Sequence, residues 1–161
     1  WKQYVLPYED GEINHEKGTV IMDFDYVKGS DLLNFINTKR PSKEALRGLL
    51  TQAKHALLFC LRNSIRHGDV KAENFYVTHD GKHCYIFDFG GGTRKPLPRD
   101  IGRDVYDFRR MVSDILGVEI DEAGEMFGMT EKTAEEMYPA KRSPSFIYLF
   151  RTSSAARPVT L

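Results

Sequence analysis

Between His67 and Gly90 the chain gathers the kinds of side chain that chemistry at a phosphate requires. His67-Gly68-Asp69-Val70-Lys71-Ala72-Glu73-Asn74 is followed, fourteen residues after Asn74, by Asp88-Phe89-Gly90. Phosphoryl transfer asks for few groups but places them strictly. A carboxylate must orient the attacking hydroxyl or accept its proton, and a cation must offset charge on the moving group. Hard oxygen ligands must hold Mg²⁺, which takes a few from the protein and the rest from phosphate and water. This stretch supplies carboxylates, an amide and a lysine together. A merely structural domain has no reason to cluster the charges of Asp69 and Asp88.

The flanking pattern predicts what positions these groups. Tyr4–Tyr8 and Thr19–Tyr26 read as short strands, with Glu9–Gly18 as polar turn material between them. Ser30 or Asp31 is placed to cap a helix over Leu32–Asn37. Ser42 caps the longest helical pattern, Lys43 to Ser64. Its apolar stripe of Leu46, Leu49, Leu50, Ala53, Leu57, Cys60 and Leu61 marks a helix through the middle of a core. Phe75–Val77 and His83–Phe87 form a hairpin around Asp80-Gly81. Gly90 to Pro98 reads as loop, with the three glycines allowing a sharp turn. Helices follow over Asp104–Leu116, Ile120–Phe127 and Glu131–Met137. Ser145–Phe150 is open between strand and helix, and Lys141–Ser145 and the tail from Arg151 read as solvated. The order defines an α+β chain dominated by helix.

The catalytic stretch resembles that of protein kinases, whose loop has the form His-Arg-Asp-x-Lys-x-x-Asn with Asp-Phe-Gly after a hairpin. The resemblance implies a protein kinase-like large lobe over 29–150, with the hinge and a remnant of the small-lobe sheet in 1–28 and a flexible tail over 151–161. Matched residue by residue, Asp69 resembles the catalytic base and Lys71 the lysine that contacts the γ-phosphate. Asn74 and Asp88 resemble the Mg²⁺ ligands. Phe24 falls at the gatekeeper place, and Asp25, Tyr26 and Val27 would offer backbone groups to adenine. Asp31 would reach the ribose, and Tyr76 would lie under the base. Asp104 resembles the aspartate that braces the catalytic loop, with helix capping as its competing role; His67 reads as another brace. ATP and Mg²⁺ are the implied cofactors.

Three departures shape the expected function. Residue 68 is Gly where many protein kinases carry Arg, so control through a phosphorylated activation segment is not expected. His-Gly-Asp is also the form of small-molecule and antibiotic kinases. Only fifteen residues separate Asp88 from Asp104, and no Ala-Pro-Glu follows, so the substrate-docking segment is short. Nothing before Phe24 provides a glycine-rich loop or a strand lysine. A chain opening on Trp1 is therefore expected to be a piece of a longer polypeptide. The leading expectation is phosphotransfer to a Ser/Thr protein substrate. The alternatives are a catalytically dead module that regulates a kinase or other partner, and a small-molecule kinase. In the regulatory case Leu6, Val20, Met22 and Phe24 would form an apolar docking patch.

Bulk properties agree with a globular domain. Of 161 residues, 41% are hydrophobic and 29% charged, and 23 basic residues balance 23 acidic ones. That balance gives no electrostatic reason to expect nucleic acid or a membrane surface as partner. No apolar run reaches the roughly 18–20 residues that cross a bilayer. The other histidines (His15, His55, His79 and His83) make no ligand set. Cys60 and Cys84 read as buried, reduced thiols of an intracellular, cytoplasmic protein.

Overall fold

The computed structural model describes residues 3–6, 8–14 and 19–137, with backbone only at 8–14, 19–24 and 135. Strands β1 (Tyr8–Asn14) and β2 (Thr19–Phe24) form an antiparallel hairpin, registered from Tyr8 opposite Phe24 to Asn14 opposite Thr19. The expected turn over Glu9–Gly18 is thus corrected: 9–14 is strand. Its Asp, Gly and Glu residues disfavour β structure locally, but the ladder with the β-branched run of β2 overrides that preference. Tyr4–Leu6 does not extend β1. Its backbone pairs with the edge of β6 (Cys84–Ile86), where Ile86 N donates to Tyr4 O at 2.8 Å and Leu6 N to Ile86 O at 3.1 Å.

A second sheet carries the chemistry-bearing loops. Its order is β3 (Gly29–Asp31), β5 (Phe75–Thr78), β6, all antiparallel. Helix α1 (Leu32–Lys39) begins where Asp31 Oδ1 accepts from Asn34 N at 2.8 Å, which selects Asp31 over Ser30 as the cap. Helix α2 (Lys43–Arg62) is capped by Ser42 as expected. Its apolar stripe is buried from Leu46 to Leu61, with Ala56 and Leu58 added to the predicted set. The core lies between α2, the β5–β6 hairpin and α3 (Pro98–Leu116), and Phe75, Ile86 and Phe108 are fully buried in it.

Strand β4 (Ile65–Arg66) pairs with β7 (Thr93–Arg94), folding the segment after Asp88 back over the loop that carries Asp69. Helix α3 starts six residues before Asp104, so the loop expected up to Pro98 ends one residue sooner. Pro98 sits in the first turn, where its missing N–H costs nothing, and Asp100 Oδ2 accepts from Leu97 N at 2.9 Å. Helices α4 (Ile120–Phe127) and α5 (Glu131–Met137) fall where expected and pack on α3. The buried Arg109 joins α3 to α4 by bonding Asp121 and the Ile120 carbonyl. The chain is mainly helical with small sheets. Cys60 and Cys84 are free and buried, and burial pushes both thiols up to about 12. Among the described residues no helix is long and apolar enough to cross a membrane. The expectations for Ser145–Phe150, Lys141–Ser145 and the tail lie outside the described residues.

Candidate active site

The candidate groups divide by burial. His67, Asn74 and Asp104 are buried, whereas Asp69, Lys71 and Asp88 face solvent. Asp104 lies inside α3, not at its cap. Its carboxylate accepts from the backbone N–H of His67 at 2.8 Å and of Gly68 at 3.1 Å, bracing the loop. Burial raises its pKa above the ordinary carboxylate range, opposed by those two hydrogen bonds and by Arg66.

His67 ties the two acidic loops together. Its Nε2 lies 2.8 Å from the carbonyl of Phe87, and its Nδ1 accepts from Asp69 N at 3.3 Å. A carbonyl can only accept and a backbone N–H can only donate, so the ring carries its proton on Nε2. One imidazole thus spans from Asp69 to the residue before Asp88. Phe87 N also donates to Asn74 O at 3.1 Å, closing the link along the hairpin.

At the centre, Lys71 Nζ lies 2.6 Å from Asp69 Oδ2, and Asn74 Nδ2 donates to the same oxygen at 3.0 Å and to Asp69 O at 2.7 Å. The Lys71 hydrogen bond, with smaller help from Asn74, holds the Asp69 carboxyl below its ordinary pKa; Asp69 in turn raises Lys71. Asn74 spends its nitrogen on Asp69, leaving Oδ1 without a partner among the described residues. Asp88 adopts a left-handed conformation (φ 59°) in which Oδ1 accepts from Gly90 N at 3.3 Å and Oδ2 has no such partner. Two hard oxygens are therefore free on the loops that His67 couples, which fits an ion completed by phosphate and water. No group of three or more His, Cys, Asp or Glu among the described residues is arranged to hold a metal by itself.

Of the residues expected to meet the nucleotide, Asp31 and Tyr76 lie on adjacent strands. Tyr76 stands opposite Asp31 in the β3–β5 ladder, and its hydroxyl donates to Val27 O at 2.9 Å. Burial, then Tyr26 and Asp31, push that hydroxyl above its ordinary pKa, so it stays protonated to donate. Asp25 and Tyr26 are exposed, the latter by 91%. Asp31 divides its duty, since one oxygen already caps α1.

Gly68 has a reason that the sequence hid. Its φ is +83°, and a Cβ there would fall far inside van der Waals contact with the Gly91 carbonyl. Phe89–Gly91 forms a short 3₁₀ turn that brings this carbonyl down onto the loop. Gly68→Ala is expected to lower stability by about 1–3 kcal/mol in chemical denaturation. An unchanged midpoint would show that the contact yields freely.

Sequence reasoning missed a basic wall beside Asp69. Arg66, Lys71, Arg103 and Arg110 line, with Asp69 and Asp107, a cavity of about 400 Å³. Positions 103, 107 and 110 fall on one helical face, the spacing signal that could have found it.

No family model matches the chain. It is 37% identical over 68 residues to the serine/threonine-protein kinase ppk25 of Schizosaccharomyces pombe, covering 42% of this chain and 16% of that protein. It is 29% identical over 79 residues to the CBL-interacting serine/threonine-protein kinase 12 of Arabidopsis thaliana, covering 49% and 16%. With the serine/threonine-protein kinase 1 of Heliothis zea nuclear polyhedrosis virus it shares 33% over 101 residues, covering 54% and 37%. The matches thus span well under half the length of these curated relatives. Over about half of its own length the chain is related to serine/threonine protein kinases.

Proposed function

We propose that this chain is the large-lobe part of a kinase-like enzyme that transfers the γ-phosphoryl group of ATP, with Mg²⁺, to a Ser/Thr hydroxyl of a protein. The observation that carries the reading is the Asp69 carboxylate, exposed to solvent yet held by Lys71 and Asn74. Asp69 would receive the hydroxyl and orient or take its proton, and Lys71 would turn from Asp69 toward the charge on the phosphoryl group. The free oxygens of Asn74 and Asp88 would hold Mg²⁺, and the ion supplies charge neutralisation between the phosphates. Asp25–Val27 would meet adenine through backbone groups, Asp31 the ribose, and Tyr76 the underside of the base. Residues 1–28 would be hinge and small-lobe remnant, and 29–150 the large lobe.

Thermal unfolding with and without Mg²⁺/ATP tests the nucleotide half of this reading. A ligand that binds only the folded state at a hundredfold excess over Kd stabilises it by roughly 2.7 kcal/mol. The expected result is an upward shift that disappears in Asp88→Asn. No shift would count against nucleotide binding by this chain and favour the regulatory module.

A further inference from the structure

The cavity beside Asp69 lies against the face of α3 that carries Arg103, Asp107 and Arg110. Four cationic side chains and two carboxylates line it, a local positive surplus in a chain of zero formal net charge. Asp69 is paired with Lys71 at 2.6 Å and Asp107 Oδ2 with Arg103 at 3.0 Å, while Asp107 Oδ1 is buried without a hydrogen-bond partner among the described residues. Arg66 reaches Asp100 at 3.5 Å and Asp104 at 3.7 Å, but its Nε–H is buried with no hydrogen-bond acceptor. Arg110 is exposed and forms no ion pair or hydrogen bond among the described residues. Arg66, Lys71 and Arg103 thus have carboxylate partners, and Arg110 is left as an exposed guanidinium without one among the described residues.

We propose that this cavity is an acceptor-side subsite that selects Ser/Thr peptide segments bearing a carboxylate or a phosphate within about two residues of the accepting hydroxyl. It rests on the phosphotransfer reading, because the hydroxyl that Asp69 orients sets the reference point. The spacing follows from size: roughly two residues of extended chain, at about 3.3 Å each, cross a cavity of this volume. The chemistry follows from Arg103 and Arg110, whose guanidinium forks match carboxylate and phosphate oxygens. Such contacts are exposed and screened by salt, so they act on the binding of acceptor more than on the chemical step.

The test uses the full polypeptide that contains this chain and a set of labelled serine peptides differing only beside the serine. The flanks carry aspartate, phosphoserine, alanine or lysine, and both binding by anisotropy and phosphotransfer are measured. Aspartate or phosphoserine peptides are expected to bind about three- to tenfold tighter than the alanine peptide at low salt, a gap that closes near 0.5 M salt. The aspartate and phosphoserine arms tell the two anion sources apart. Arg110→Ala should raise KM for the anionic peptides with kcat held, and Arg110→Glu should turn the preference toward lysine, which a merely structural role would not do. Equal binding of all four peptides, or a preference that both Arg110 variants keep, overturns the subsite. Phosphotransfer without an anion preference would sink the subsite and leave the reaction standing. Anion-selective binding without phosphotransfer would do the reverse.

Discussion

Asp69→Asn is expected to lower phosphotransfer by about 10²–10⁴-fold in a protein that still folds, the range that a positioned acid–base group contributes. The neutral amide keeps the shape of the side chain but cannot take a proton, and Lys71 loses the charge it now faces at 2.6 Å. Folding should change little. Asp69 is exposed, and its backbone carbonyl keeps the 2.7 Å bond from the buried Asn74. The pH profile adds a second check. Because Lys71 first and Asn74 next hold the carboxyl below its ordinary pKa of about 3.9, Asp69 stays ionised down through that value. The acid limb of wild-type kcat/KM, which reports the free enzyme, should therefore lie below the ordinary carboxylate range. The small stability that this pair adds is present above that range and fades as pH falls through the depressed folded pKa. Full turnover in a folded Asp69→Asn protein would remove Asp69 from the mechanism.

Asp104→Ala should produce the largest loss of stability, about 3–5 kcal/mol in chemical denaturation. Alanine strands the N–H groups of His67 and Gly68 and leaves Arg66 with Asp100 alone at this end of the loop. A buried donor without an acceptor bears its full desolvation cost. Asp104→Asn retains one acceptor oxygen and should lose less. The pH dependence runs opposite to that of Asp69. Burial raises the folded pKa of Asp104, so its contribution is greatest below the unfolded carboxylate pKa and is lost as pH rises through the folded one. The margin of the wild type over Asp104→Asn should accordingly widen from neutral toward mildly acid pH. A loss under about 1 kcal/mol for Asp104→Ala would mean that the loop stands without its brace.

The candidate groups were legible as a set because they lie close in sequence and their types are rare in combination. Asp69, Lys71, Asn74 and Asp88 needed only one loop and one hairpin to be brought together. The stripe of α2 was legible for a similar reason, since helical periodicity is a local signal. What escaped was set at long range. Glu9–Asn14 is polar enough to read as turn, and only the partner strand makes it β. Tyr4–Leu6 pairs with an edge some eighty positions away. The start of α3 was misplaced because Pro96 and Pro98 looked like breakers, although Pro98 followed by Asp100 is also a helix-opening pattern. Arg103 and Arg110 carried a visible spacing, but their importance depends on the loop that α3 happens to face.

The packing of Gly68 under Gly91 bears on how such a chain can change over time. An arginine at 68 is barred while the turn over 89–91 sits where it does. A side chain on residue 91 is tolerated more easily, since its nearest neighbours on Gly68 would lie 3.2 Å away. The permitted route is therefore ordered: the segment after Asp88 must first lengthen or lift away, and only then can position 68 acquire a side chain. A short segment and a bare residue 68 are therefore coupled in one direction: the segment can change first, whereas residue 68 cannot.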